Sequence, residues 1–483
     1  MRPTILKLSA IGAVALALSA CSMAPVYQRP AAPVAQQWPV AADAAASAST
    51  PASAVLWRDY FTDERLRQVI ALALANNRDL RISVLNIEKA RAQHGISEAA
   101  LLPTVSAQVS QSATRSPSAG GTGAINRQYS GGLALPAYEL DLFGKLRNLS
   151  DASLQQYLGT EEARRTQQIS LVAEVASAWL TLQADQQRLQ LARDTLASQQ
   201  ATYQLSQQRF SKGVSSGLDL AETQTSVEAA RDEVASYTAQ VAQDSNALVL
   251  LVGAEVPEQL LPQGAIDAPG AVTRLAELPT GLPSSVLLER PDVQEAERSL
   301  RAANANIGVA RAAFFPSVSL TASGGSASGS LSGLFKAGTG TWSFLPQVTL
   351  PLFDGGVNRA NLRIAQADRD IAVARYEKSI QSAFREVADA LAVRSTVEQR
   401  LSAQQALVDA ASTSFRIHDA RYRQGADSYL NALVSQRALY AAQQSLITAR
   451  LAKSGNAVTL YKVLGGGWQP EIDKSGQLAH SSG

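Results

Sequence analysis

The chain is written twice. Residues 209–253 and 421–465 align without a gap at a constant offset of 212. Arg209 maps onto Arg421, Phe210 onto Tyr422, Gly213 onto Gly425, Leu218 onto Leu430, Gln224 onto Gln436 and Gly253 onto Gly465. Upstream, AALLPTVS from Ala99 pairs with AAFFPSVS from Ala312, and DLF at Asp141–Phe143 pairs with PLF at Pro351–Phe353. A period this long is not a solenoid repeat. It is a duplicated half-domain, so the fold carries internal pseudo-symmetry.

Each half contains one very long helical pattern. From about Lys145 to Lys212 there is no proline, and apolar residues recur every seven positions at Val175, Leu182, Leu189, Leu196, Tyr203 and Phe210. The second copy repeats the stripe as Val387, Arg394, Leu401, Val408, Phe415 and Tyr422, with one polar break. A seven-residue period implies left-handed coiled-coil packing. About 67 residues at 1.5 Å each give a rod of roughly 100 Å. Each rod reverses at a glycine-containing turn marked by Gly213, Gly217 and Gly425. Ser216 with Asp219 resembles a capping box that places negative charge at a helix N-terminus. The return helices, Ser216–Val252 and its counterpart, are too short to cover the rods. The helical patterns at Asp79–Ala100 and Asp292–Ala312 extend them end-on.

Between the short and long helices lie strand signals. Val105, Ala107 and Val109 alternate with polar residues, as do Val318, Leu320 and Ala322. Tyr138, Leu140 and Leu142 read as one face of a second strand, with Trp342, Phe344, Val348, Leu350 and Leu352 as its equivalent. Strands of about ten residues with one apolar face match transmembrane barrel strands. Four strands cannot close a barrel, so the chain must oligomerise to remove its edges. A small soluble sheet capping a helical domain is the alternative.

The N-terminus reads as an export signal over 1–20: Arg2 and Lys7 precede an apolar run, and Leu18-Ser19-Ala20-Cys21 resembles a bacterial lipobox. Cys21 is the only cysteine in 483 residues, so there are no disulfides, and it is the expected lipid anchor. No CxxC, HExxH, GxSxG or phosphate-loop motif occurs, and His94, His418 and His480 are far apart. A formal net charge of +2 argues against nucleic acid as a partner. Nothing marks an enzyme, a metal centre or a cofactor beyond the lipid on Cys21. Gly465-Gly466-Gly467 follows a helix and reads as its C-terminal cap. Trp179 reads as packing.

These boundaries define an α+β membrane protein. A tether spans 21–56. The first repeat spans 57–284, with strands about 101–114 and 128–142 and a hairpin about 145–252. The second spans 285–465, with a helix at 292–312, strands about 314–325 and 341–353 and a hairpin about 356–464. A tail covers 466–483.

Lipobox, two strand pairs, two long hairpins, the Arg-Phe and Arg-Tyr tip motifs and the terminal Leu460–Trp468 together resemble the TolC-like outer membrane efflux proteins, in the lipoprotein branch that includes OprM. The resemblance implies a homotrimer with a 12-stranded barrel in the outer membrane of a Gram-negative bacterium, over a periplasmic α-helical tunnel. It implies a periplasmic adaptor protein and an inner-membrane resistance-nodulation-division transporter as partners. It also implies that Arg421, Tyr422 and Arg423 help close the periplasmic aperture, with Leu430 as an apolar plug. The sequence departs from the family where Val434 replaces an expected aspartate. The two arginines then need another acceptor, with Asp427, Glu222 and Asp219 as candidates. Drug or solvent export is favoured over metal or protein export; the competing class is a lipid-anchored periplasmic coiled-coil scaffold without a pore.

Overall fold

The computed structural model describes residues 22–38, 56–115, 125–263 and 284–466. Cys21, the export signal, most of the tail and part of the tether lie outside them. The first half runs α1 (Trp57–Tyr60), α2 (Glu64–Asn76), α3 (Arg78–Ala99), β1 (Ser106–Arg115), β2 (Ile125–Leu140), α4 (Lys145–Ser211) and α5 (Gly217–Val252). The second runs α6 (Pro291–Ala312), β3 (Ser317–Ser328), β4 (Gly340–Thr349), α7 (Val357–Arg423) and α8 (Tyr429–Val463). The rods α4 and α7 each have 67 residues, roughly 100 Å. No helix among the described residues is long and apolar enough to cross a membrane.

The chain divides into two compact units. One comprises the described parts of Met1–Ala32, Leu85–Glu161 and Gln294–Lys378; the other comprises those of Pro33–Val84, Glu162–Val293 and Ser379–Gly483.

The first unit holds a four-stranded antiparallel sheet in the order β1-β2-β3-β4. Its register gathers the apolar residues on one face: Ala107 opposite Leu133, Leu135 opposite Ala322, Ala322 opposite Phe344, and Val318 opposite Val348. The other face is mainly polar, Leu345 excepted, with Ser110 bonded to Ser130 and Ser323 to Ser343, each at 2.7 Å. Leu142, Leu350 and Leu352 fall beyond the strand ends, so the expected alternation stops short of them. The β2–β3 pairing shifts register between Leu135 and Tyr138, with Ala137 at φ 40, and resumes beyond it.

In the same unit, the tether is fixed by side chains. The Ser22 hydroxyl donates to Asn148 Oδ1 at 2.8 Å, and Asn304 donates to the Pro25 carbonyl at 2.7 Å. The Arg301 guanidinium lies 4.7 Å from the Tyr27 ring centre, and Arg29 pairs with Glu297 at 2.7 Å. Burial would raise the Glu297 carboxyl, but hydrogen bonds from Arg301 and Arg29 outweigh it and hold the group below the usual glutamate range. A depressed carboxylate stabilises above its ordinary pKa and loses that contribution as pH falls through the lower folded value. The tether is therefore expected to stay docked from pH 5 to 8. Glu297→Gln should release it, costing about 1.5–3 kcal/mol and read as faster proteolysis within 22–38. Unchanged cleavage would show that this carboxylate does not hold the tether.

The second unit shows how the short helices join end to end. Asn77 donates to the Leu251 carbonyl at 2.7 Å, closing the C-terminus of α5, while its Oδ1 accepts from the Leu80 amide at 2.8 Å and caps α3. In the second copy this task falls to Arg290, which donates to the Val463 carbonyl at 2.8 Å and to Asp292 and Glu386. Tyr60 and Tyr461 stack at 4.3 Å beside this joint. Trp179 is fully buried and donates to the Leu260 carbonyl at 3.1 Å, a packing role. Gly465, at φ 74, and Gly466 donate to the Lys462 and Tyr461 carbonyls, so this pair ends α8 as a cap.

The hairpin tips as the candidate aperture

Both rods end in the same motif, built from the same sequence. At the first tip, Gly213 donates to the Phe210 carbonyl and Val214 to that of Arg209, each at 3.0 Å. At the second, Gly425 donates to Tyr422 and Ala426 to Arg421, each at 2.9 Å. These are Schellman caps, whose αL residue favours glycine; Gly213 has φ 70 and Gly425 φ 76. Gly217 is not part of either turn. It is the first residue of α5, with ordinary helical backbone, because Ser216 takes the cap position.

The returns are capped differently. In the first copy Ser216 and Asp219 form a complete capping box, and Ser215 also donates to Asp219 at 3.1 Å. In the second copy, offset by 212, Ser215 becomes Asp427 and Asp219 becomes Asn431. The carboxylate has changed places: Asn431 donates to Asp427 at 2.7 Å and the Ser428 amide at 2.9 Å. His418 Nδ1 lies 3.2 Å from the same carboxylate, and Arg421 Nε lies 3.4 Å away. These donors, Asn431 foremost, hold Asp427 down to about 2. It is ionised throughout the physiological range and loses its ties only as pH falls towards that value.

Arg421 thus finds Asp427, and Arg423 pairs with Asp419 at 2.9 Å. Asp219 serves its own helix, and Glu222 is half-buried. The offset carries Val434 onto Glu222, so at this level the acid sits on α5. Leu430 and Val434, four residues apart on α8, are both more than half exposed.

Tyr422 is the buried member. Its ring packs with Tyr429, Ala432 and Leu433, and its hydroxyl lies 3.0 Å from Ser206 on α4. Arg209 lies over that ring at 4.8 Å and donates to the Tyr422 and Arg423 carbonyls at 3.2 and 2.8 Å. One arginine of the first hairpin thereby covers an aromatic ring and caps the helix end of the second. The apolar stripe of α4 does not make this seam. It is buried at Val175 and Leu182 but has turned outward by Phe210; near the tip the buried line is Asp185, Ala192, Gln199 and Ser206. Gln199 donates to Gln436 at 2.8 Å across it. Apolar periodicity could not find a polar seam. Arg209 was within reach, since it aligns with Arg421.

The family model described as "Outer membrane efflux protein" matches residues 69–254 and 282–466. The chain is 47% identical over 478 residues to the toluene efflux pump outer membrane protein TtgC of Pseudomonas putida, covering 98% of each. It is equally similar to the antibiotic efflux pump outer membrane protein ArpC of Pseudomonas putida, 47% over 478 residues and 98% of each. The open-state MtrE outer membrane channel of Neisseria gonorrhoeae superposes with a TM-score of 0.83 at 37% identity, covering 93% of this chain and 99% of that one. Duplicated 67-residue rods, paired tips and a four-stranded sheet with one apolar face are what such a channel needs. The chain belongs to the outer membrane efflux protein family, as the outer-membrane duct of an efflux pump.

Proposed function

We propose that three copies form a single duct, each giving four strands to a 12-stranded barrel and two hairpins to a periplasmic tunnel. Drugs and solvents of the toluene class pass through it passively, delivered by a periplasmic adaptor and an inner-membrane resistance-nodulation-division transporter. The observation that carries this reading is the sheet: one face is apolar, and β1 and β4 are open edges that lipid does not tolerate unpaired. The hairpin tips, held by Arg421, Tyr422 and Arg423, form the closed aperture, with Leu430 facing its opening. Passage there is set by width and field, so no catalytic residue is required. Deleting the chain should sensitise cells to toluene and to antibiotics, and restoring it should reverse both. Unchanged tolerance in a strain lacking other ducts would refute the export role.

Cys21 carries lipid in this reading and starts the mature chain. Palmitate labelling should mark the wild type and vanish in Cys21→Ser. The barrel should still insert, because its apolar band is a separate membrane signal. Labelling that survives the substitution would place the lipid elsewhere.

A further inference from the structure

The connection from β3 to β4, residues 329–339, does not run on past the strand ends. It folds back as a lobe over the apolar face of the sheet. We propose that this lobe and the strand ends around it bind a multiply phosphorylated acyl lipid of the outer leaflet, with Arg115, Arg127 and Lys336 on its phosphates. This rests on the membrane-barrel reading and adds a lipid of stated chemistry.

The pleat places the lobe. Residues two apart on a strand share a face, so the registers set Gly131, Ser326, Ser328 and Trp342 on the same face as Phe344. Three of these positions carry the lobe. A Cβ at Gly131 would lie 3.6 Å from both Leu334 and Phe335, and one at Gly333 would meet the Ser328 hydroxyl. The Ser326 hydroxyl lies 3.0 Å from the Thr339 carbonyl. The lobe also satisfies its own backbone. Leu331–Gly333 form a 3-10 turn, the Lys336 amide donates to the Gly333 carbonyl at 3.2 Å, and the Thr339 hydroxyl donates to the Lys336 carbonyl at 2.7 Å. Backbone closed in this way can lie at the level of lipid, where unpaired groups are costly. Leu334 is buried and pins the lobe, while Leu331, Phe335 and Trp342 are 65%, 81% and 83% exposed. They leave an apolar surface uncovered beside the strand ends.

Charge gives the partner. From Leu101 to Tyr138 the only charged residues are Arg115 and Arg127, and from Ala313 to Phe353 the only one is Lys336. All three stand at the end of the sheet away from the helices, which in this reading faces outward from the cell. Arg127 is opposite Ala113, so Arg115 is its diagonal neighbour on the same face, about 7–8 Å away. Gly329, where the lobe begins, lies against the Arg127 carbonyl. Each of the three cations is exposed, and no carboxylate pairs with it among the described residues. Unpaired cations beside apolar surface fit a lipid with an anionic head. Three of them exceed the single charge of a phosphodiester lipid and match a head with several phosphate charges, which the forked guanidinium groups suit.

Equilibrium binding of lipid A to the purified full-length protein in detergent tests this, with lipid A stripped of its phosphates as the second ligand. Wild type should hold intact lipid A at least tenfold more tightly than the stripped form, a margin set by charge-assisted bonds to phosphate. In the triple variant Arg115→Gln, Arg127→Gln and Lys336→Gln that preference should vanish while affinity for the stripped form stays the same. Leu331→Ser with Phe335→Ser should weaken both forms alike. Equal binding of the two forms by wild type, or a preference that survives the triple variant, overturns the proposal. So does phosphatidylglycerol bound as tightly as intact lipid A, because one phosphodiester would then suffice. Resistance to carbonate extraction separates the two readings. Wild type released from the membrane by carbonate defeats the barrel itself; inserted protein without the phosphate preference defeats the lipid site alone.

Discussion

A proline at Leu189 is expected to abolish assembled duct, and a proline at Leu401 to do so to a similar degree. The two positions are equivalent under the repeat, mid-rod in α4 and α7. Proline removes an i to i−4 hydrogen bond and clashes with the preceding turn, at about 3 kcal/mol or more, roughly a hundredfold in an equilibrium constant. In rods of 67 residues the break also misaligns everything towards the tip. Leu189 is buried in the single chain and Leu401 half-buried, so alanine controls should separate lost packing from the broken helix. The readout is the amount of folded protein in the outer membrane. Tolerance of proline in one copy only would refute pseudo-equivalent rods.

The second large effect is expected at the tips. Removing Arg209 takes away two carbonyl caps and the cover over Tyr422. Hydrogen bonds from a charged donor are worth about 1.5–3 kcal/mol, so the open population should rise at least tenfold. Arg421→Ser with Arg423→Ser should act the same way, since each arginine ties the end of α7 to a carboxylate. The variants should sensitise cells to large antibiotics. Val434→Asp tests the converse. An acid restored on α8 near the tip arginines should form charge-assisted bonds and lower basal leakage. Unaltered sensitivity in all of these variants would place the constriction elsewhere.

Much of this fold was legible because duplication shows each element twice. The rod expected from Lys145 to about Lys212 runs Lys145–Ser211, since neither proline nor a clustered break interrupts it. The Ser216–Asp219 cap was readable from local spacing alone. The sheet was readable in its alternation but not at its ends. Gly144 and Pro351 leave Leu142 and Leu352 outside, and the register shift near Ala137 leaves no period to detect. The polar seam through Gln199 and Ser206 was invisible to an apolar template. The joints at Asn77 and Arg290 depend on two helix ends meeting, which spacing does not encode. The acceptors of Arg421 and Arg423 needed coordinates to separate Asp427 and Asp419 from Glu222 and Asp219.

That this chain is a gated duct is tested most directly by the conductance of the purified full-length protein in planar bilayers. Discrete channels of low basal conductance are expected, opening at least tenfold more often when Arg209 is replaced by alanine, the loss of about 1.5–3 kcal/mol at the tip. A folded oligomer that inserts yet conducts no ions, in wild type and in the Arg209→Ala variant alike, would contradict it.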